Sequence, residues 1–581
     1  METQPGQNLA EASQRRPSRD THRKPEIIEE PPKPAKRQAS YGLLLIWLLC
    51  CGTFIFGLGR LPFLGPDEPR YAEVAREMLV TGDYITPRLC GCLWFEKPVL
   101  LYWMSCAAYK TLGVGEFAAR LPSALCALLT VGFLYHVLAS RVSKTAAMAC
   151  SAVLATSPLF IGYGRAAVTD MPLTATLSVA LLSFYLSATA TGRSRWRWWI
   201  VACASTGFAV LAKGLIGILL FGAIGIIALL LTRNRAFNNW LYWLLGACVL
   251  VTVCMVWYLP VIQRNGYPFV QEFIVNHHFK RYLTNQYHHP EPFYFYPAIA
   301  MGGIAPWVFY LIPAIARLWN WLKDPSRKWS PLYTLAVVWL LVPLIFFSFS
   351  ESKLPGYILP VIPALALIAG MEIDRCWRGE SGRALTTASY CVAVATTGLG
   401  IAFPIVLAKK SMSPSGVDAA LVWIPGIIGL FTVLLVSFGR RRAFVAGVCA
   451  SMVTLIIGAA IVALPGLGDQ LGSKKLSLEA AAALRPGEEI AFYVDRDYAP
   501  VFYAEGRVAC GGKAGDVLNA LGTPELTEAL ESRQSLVVIT PPPLLDWIKR
   551  NPKLRMDPQP IACERDECAV RVTLSDRPVS P

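Results

Sequence analysis

Four short stretches set charged residues close to prolines at the edges of apolar runs: DEPRY at 67–71, WFEKP at 94–98, TDMP at 169–172 and SKLPGY at 352–357. Acids and cations grouped in this way suit a substrate that is itself charged. A helix start needs one short polar cap, and Asn or Ser would serve, so Asp67 together with Arg70 exceeds that need. Lys97 follows Glu96 and precedes the apolar, aromatic PVLLYW, the placement that a lipid-linked phosphate requires of a cation at the mouth of a groove. Plainer roles exist for the same residues. Asp67 and Asp170 could cap helices, Arg70 and Lys97 could snorkel to lipid phosphates, and Lys353 with Tyr357 could form an interfacial anchor.

Four of the six histidines fall in the stretch NHHFKRYLTNQYHHP, residues 276–290. Neighbouring side chains on a helix point about 100° apart, so both members of a pair do not readily reach one ion. His277 or His278 with Glu96 as a site for a zinc-like divalent metal is one reading; hydrogen-bonded or solvated histidines are the other. Most of the sixteen cysteines lie inside apolar runs, where they act as small hydrophobes. Cys563 and Cys568 could close a small disulfide loop on an oxidising side, and no cysteine spacing fits a zinc finger.

The elements that must position these residues are membrane helices. The 581-residue chain is 54% hydrophobic and 16% charged, and about thirteen apolar runs, from 42–63 to 443–464, have bilayer length. Such runs exclude the alternating pattern of a membrane β-barrel. The net charge of +15 sits in short clusters, among them Arg141 with Lys144, Arg193 to Arg197 and Arg440 to Arg442. They occupy every second loop, on the side of the basic N-terminal stretch, which is the pattern of topology signals and not of a nucleic-acid groove. Residues 1–40 read as a disordered cytoplasmic tail without a cleavable signal. Residues 41–464 form the membrane domain, with outer loops at 64–116 and 263–295, and 465–581 form an outer α/β domain. In that domain Glu479–Leu484 reads as helix, Ile490–Val494 and Leu536–Thr540 as strands, and PPP at 541–543 as a turn. It offers no nucleophile, metal cluster or phosphate loop, so its expected role is accessory. Within 65–84, Tyr71, Val74, Ala75, Met78 and Leu79 recur at helical spacing before Gly82, which predicts an amphipathic helix on the membrane face.

The stretches LGPDEPRYAEVAREML, GDYITPRL, FEKPVLLYW, EFAARLPSAL, RAAVTDMPL, NHHFKRYL and SKLPGYILP resemble the bacterial aminoarabinose lipid A transferases. These belong to the wider superfamily of polyprenyl-phosphate-sugar and protein O-mannosyltransferases. The resemblance implies an α-helical polytopic GT-C glycosyltransferase fold of about thirteen transmembrane helices with a small C-terminal α/β periplasmic domain. It implies a bacterial inner membrane location, an undecaprenyl (polyprenyl) phosphate sugar as donor, and lipid A, another glycan or a protein as acceptor, with no nucleotide. By motif position Asp67 and Asp170 resemble the catalytic acids, and Arg70, Lys97 and Tyr357 the groups that hold the donor phosphate. Tyr71, Trp94 and Lys353 resemble cavity-lining residues, and Glu96 with His277 and His278 a metal-binding neighbourhood. The family usually has Tyr at the place of Trp94 and Thr at that of Gly356, so the sugar and acceptor pockets are expected to differ. Rival expectations are a protein O-mannosyltransferase, a flippase for lipid-linked sugars and an envelope scaffold. Transporters carry charges at mid-membrane and often paired broken helices, whereas the acids here gather at outer loop edges.

Overall fold

The computed structural model describes residues 36–273, 291–323, 330–380, 382–409, 416–471, 473–492, 498–509, 523–533, 535–557, 559–564 and 567–575. Every apolar run contains helix. Among the described residues eight helices are long and apolar enough to cross a membrane, including Glu116–Arg141, Asp170–Thr189 and Trp240–Asn265. Two more candidates are bent pairs, Lys144–Ala155 with Pro158–Gly164 at 67° and Phe295–Gly303 with Trp307–Leu322 at 104°. Each break coincides with a proline, Pro158 or Pro306, which cannot continue the hydrogen-bond ladder of the preceding helix. Tyr41–Ile55 and Ile216–Thr232 are shorter apolar helices, and Gly192–Lys213 opens with three arginines in its first turns. Helix α1 (Lys36–Cys50) begins inside the stretch expected to be tail.

The first long loop is built, not open. It holds α2 (Asp67–Thr81), a two-residue hairpin of β1 (Arg88–Leu89) and β2 (Cys92–Leu93), and α3 (Leu100–Leu112). The chain then enters α4 (Glu116–Arg141), the broken pair α5 (Lys144–Ala155) and α6 (Pro158–Gly164), and the hairpin of α7 (Asp170–Thr189) and α8 (Gly192–Lys213). The small hydroxyls of α7 let α8 pack closely, because Thr174 and Ser178 are buried and donate to carbonyls of their own helix, Asp170 and Thr174. Since α7 and α8 are antiparallel neighbours, the N-terminus of one lies beside the C-terminus of the other.

Helix α2 does not lie on a surface with one apolar face. Its apolar residues Tyr71, Val74, Ala75 and Met78 are buried, and so are the acids Glu68, Glu73 and Glu77. It is packed against α3 on one side and the C-terminal helix Ala499–Tyr503 on another, and the acids are paired with Arg120 of α4, Arg76 of α2 itself and the N–H groups of Cys90 and Gly91. One apolar core runs through Tyr71, Tyr102, Trp257, Phe269, Val501 and Ile539, joining the first loop to the C-terminal unit.

That unit is a sheet of order β3-β4-β7-β5, with β6 also on β7. Its strands are β3 (Glu489–Phe492), β4 (Leu536–Thr540), β5 (Leu554–Met556), β6 (Ala562–Glu564) and β7 (Glu567–Leu574). β3 pairs parallel with β4, and β4 antiparallel with β7. LVVIT in β4 is buried on both faces, as befits a central strand. Cys563 and Cys568 face each other across the β6–β7 turn and form a disulfide. The expected helix at 479–484 is realised as Lys474–Ala482, and residues 493 and 494 of the expected first strand lie outside the described residues. The prolines at 541–543 open a helix, Pro542–Arg550, instead of a turn. Proline at the first helical position loses no hydrogen bond, and its fixed φ suits the helix.

Candidate functional site

Asp67 is not a cap. The N-cap of α2 is Pro66, and Asp67 is the first helical residue, its carboxylate accepting from Arg70 Nη2 one turn along. Arg70 Nε donates to the Pro66 carbonyl at 2.9 Å, and its Nη1 stands 3.8 Å from Glu96 Oε2. The other oxygen of Glu96 meets Lys97 Nζ at 2.7 Å. The side chains of Arg70, Lys97 and Glu96 are 15%, 13% and 10% exposed, whereas Asp67 is 46% exposed, so Asp67 is the acid of this group open to an incoming molecule. Burial works against the charge of Arg70, but Glu96, Tyr71 and Asp67 outweigh it and hold the guanidinium protonated. Tyr71 and Tyr102, buried with ring centroids 6.2 Å apart, have their phenols pushed far up by burial and, after it, by Asp67 and Glu96 respectively, so both stay neutral hydrogen-bond donors. The Trp94 ring lies 5.7 Å from the Arg70 guanidinium.

Two acids of α2 fix this arrangement. Glu68, adjacent to Asp67, is gripped by the fully buried Arg120 of α4 through Nε to Oε1 and Nη2 to Oε2, both at 2.8 Å. Arg120 also donates to the carbonyls of Leu58, Leu61 and Pro62. Glu68 accepts from the backbone N–H of Leu64 at 3.2 Å and of Ala167 at 2.9 Å, which ties the segment before Asp170 to the start of α2. Breaking a buried pair of this kind costs about 3–5 kcal/mol, whereas a pair with one exposed partner, such as Asp67–Arg70, contributes about 1 kcal/mol or less. Glu77, two turns further on, accepts from the N–H groups of Cys90 and Gly91. It thereby holds the β1–β2 turn that leads directly to Trp94, Glu96 and Lys97.

Asp170 is likewise the first residue of its helix, with Thr169 as N-cap and no capping bond. Its Oδ1 meets Lys213 Nζ at 2.6 Å, both side chains being 14% exposed. The pair is what antiparallel helices favour: an acid at the N-terminus of α7 and a base at the C-terminus of α8, each matching its helix dipole. The Lys213 ammonium lies 4.6 Å from the Tyr357 ring centroid. Next to Tyr357, a Cβ on Gly356 would stand 2.6 Å from Asp170 Oδ1 and 2.8 Å from Tyr163 Cε1. Only glycine lets the KLPGY backbone approach Asp170 so closely. Tyr163 is within electrostatic reach of both Asp67 and Asp170, so the two acids border one neighbourhood. Lys353 is buried, its ammonium donating to the Glu291 carbonyl at 2.8 Å.

His277 and His278 lie outside the described residues. Among the described residues no group of three or more His, Cys, Asp and Glu could hold a metal, and Glu96 meets Lys97 and stands near Arg70.

Sequence reasoning missed Lys213, Arg120 and Tyr498. The signal for Lys213 was available: it interrupts two apolar runs in a loop on the same side as Asp170, where the positive-inside pattern calls for no cation. Arg120 stood inside a quoted motif, EFAARLPSAL, without a role. For Tyr498, whose ring centroid is 4.8 Å from the Arg70 guanidinium, nothing in the sequence pointed to the first loop.

Residues 96–258 match the family model described as dolichyl-phosphate-mannose-protein mannosyltransferase. An undecaprenyl phosphate-alpha-4-amino-4-deoxy-L-arabinose arabinosyl transferase of Pectobacterium carotovorum is 31% identical over 414 residues, 68% of this chain and 72% of that protein. The enzyme of the same name from Serratia proteamaculans is 28% identical over 435 residues, 71% and 76% of the two chains. The crystal structure of ArnT from Cupriavidus metallidurans bound to undecaprenyl phosphate superposes with a TM-score of 0.75 at 24% identity, over 92% of this chain and 98% of that one. The fold is therefore the GT-C membrane fold.

Proposed function

This chain belongs to the undecaprenyl phosphate-alpha-4-amino-4-deoxy-L-arabinose arabinosyl transferase family, and from that premise we propose that it moves 4-amino-4-deoxy-L-arabinose, or a closely related sugar, from undecaprenyl phosphate to lipid A or another envelope glycan. It is a multi-pass membrane glycosyltransferase. The observation that carries the substrate reading is the grouping of Arg70 and Lys97 with Asp67 and Glu96, bordered by Asp170, Lys213 and Tyr357.

In the proposed reaction an acceptor oxygen forms a bond to the anomeric carbon as the bond from that carbon to the donor phosphate oxygen breaks. The electron pair leaves with undecaprenyl phosphate, whose charge rises from −1 to −2. Lys97 and Arg70 bind that extra charge more strongly in the transition state than in the ground state, which raises turnover. A lipid A phosphate is largely ionised near neutral pH, since the second pKa of a phosphomonoester is about 6, and needs no general base. Asp67, the exposed acid, then holds the ammonium of the amino sugar or orients the acceptor, while Asp170 and Lys213 hold the KLPGY loop and Tyr357 against the site.

The site end of the bundle is assigned to the periplasmic face of the inner membrane, with the N-terminus in the cytoplasm. The basic clusters in alternate loops and the Cys563–Cys568 disulfide, a bond favoured in oxidising compartments, support that orientation. Mannosyl transfer to a protein hydroxyl is the second reading, favoured by the family model over 96–258; it would require Asp67 to take a proton as general base. Mass spectrometry of lipid A, envelope glycans and envelope proteins from cells making wild type or Asp67→Asn decides between them. A pentosamine-sized addition to lipid A that is present with wild type and lost with equally abundant Asp67→Asn supports the first reading. A hexose on protein supports the second, and identical profiles in every fraction refute both.

A further inference from the structure

The C-terminal unit was expected to be accessory, yet it reaches the donor-phosphate end of the site. Its helix Ala499–Tyr503 is anchored through its C-terminal end. There Tyr503 Oη accepts from the Phe63 N–H at 3.1 Å and donates to Glu116 Oε1 at 3.0 Å, and Lys474 Nζ meets the same Glu116 oxygen at 2.5 Å. Phe502 packs edge-on against Phe63, with centroids 4.9 Å apart. Two residues further on, Arg76 Nη2 donates to the Glu505 carbonyl at 2.6 Å while gripping Glu73 at 2.7 and 2.8 Å. Gly506, at φ +75°, presses its backbone on Glu73, and a Cβ there would fall 2.7 Å from Glu73 Oε1. Glu73 and Arg76 lie one and two turns beyond Arg70 on α2. The last residue of the helix and the turn after it are thus held at Phe63, Glu116 and Arg76, and Tyr498 stands at the start of the same short helix.

Tyr498 places its ring 4.8 Å from the Arg70 guanidinium carbon, which also has the Trp94 ring at 5.7 Å. The face of an aromatic ring carries negative charge and attracts a cation that is partly withdrawn from water. The two rings occupy the guanidinium while its N–H groups are directed by the Pro66 carbonyl, Asp67 and Glu96. We propose that Tyr498 is a positioning residue for Arg70, so that the docked C-terminal unit completes the donor-phosphate end of the site and sugar transfer depends on it. This inference rests on the assignment of Arg70 to the donor phosphate.

The test uses full-length enzyme in proteoliposomes, with undecaprenyl phosphate-linked 4-amino-4-deoxy-L-arabinose as donor and lipid A as acceptor. Steady-state kcat, donor KM and Tm are measured for wild type, Tyr498→Phe, Tyr498→Leu and a chain carrying pentafluorophenylalanine at 498. The fluorinated ring keeps the shape of phenylalanine and reverses its charge distribution, so the protein folds and only the attraction is lost. The expected result is kcat within about twofold of wild type for Tyr498→Phe and about five- to tenfold lower for both the leucine and the fluorinated chains, at unchanged Tm. Equal kcat in the phenylalanine and fluorinated chains overturns the proposal, as does a loss that tracks Tm. If wild type itself transfers no sugar, the substrate reading has failed; an active wild type with an indifferent position 498 fails only the role given to Tyr498.

Discussion

Asp67 and Glu68 are neighbours in the chain and lie in different environments. Asp67 is nearly half exposed and pairs with Arg70 of its own helix. Glu68 is buried and is held by Arg120, 52 residues away, with help from two backbone N–H groups. The turn of about 100° between adjacent helical residues sends one acid to the open side and the other into the core. The comparison teaches that the charged cluster is kept open by a framework of buried charge directly behind it.

The largest expected effect breaks the framework. Arg120→Leu leaves Glu68 as an uncompensated buried charge and is expected to cost about 3–5 kcal/mol, a large part of the 5–15 kcal/mol typical of a folded domain. Membrane abundance and thermal unfolding in detergent check it, and replacing both partners by leucine should recover much of the loss. Next comes the open side, where Lys97→Met should leave abundance and Tm unchanged and lower kcat about a hundredfold, as removal of a charge-stabilising donor does. Lys213→Met should lower kcat by about tenfold. Adding Asp170→Asn should then cost less than it does alone, because the two act as one unit; additive losses would show that they act separately.

The smallest effect sharpens the comparison, since Glu73 is buried like Glu68 but paired locally like Asp67. Burial pushes its carboxyl up to about 7 against the pull of Arg76, from an ordinary value of 4.5. The folded state therefore binds this proton more tightly than the unfolded chain, so the stability it contributes is full below about 4.5 and lost as pH rises through about 7. Glu73→Gln should flatten the fall of Tm between pH 5 and pH 8 by about 2 °C. An unchanged slope would mean that Glu73 is ionised throughout.

Much of the fold was legible because bilayer length and hydropathy act locally: every apolar run contains helix, and the uniformly apolar LVVIT became a central strand. The grouping of Asp67, Arg70, Glu96 and Lys97 was legible as chemistry because charge beside an apolar run is costly without a purpose. The geometry was not. Asp67 and Asp170 looked like caps because short acids before prolines usually are, yet cations at positions 70 and 213 claim them. The acids of α2 looked like the solvent face of an amphipathic helix because periodicity records apolar residues and is blind to partners such as Arg120 or the turn at 90–91. Gly356 read as a departure from the family pattern, whereas its lack of a side chain is what admits Asp170.

The bond between Arg76 and Glu505 joins residues 429 positions apart. At roughly 5–20 residues per second of synthesis, the ribosome works for roughly 20 to 90 s between making one and the other. Throughout that interval the early helices can insert and Arg120 can close on Glu68, but Arg70 has no ring from the far end of the chain beside it. Assembly of this enzyme thus has a built-in order: the first loop is made early and finished last, and a chain released before residue 498 carries the charged residues of the first loop without the ring that flanks Arg70.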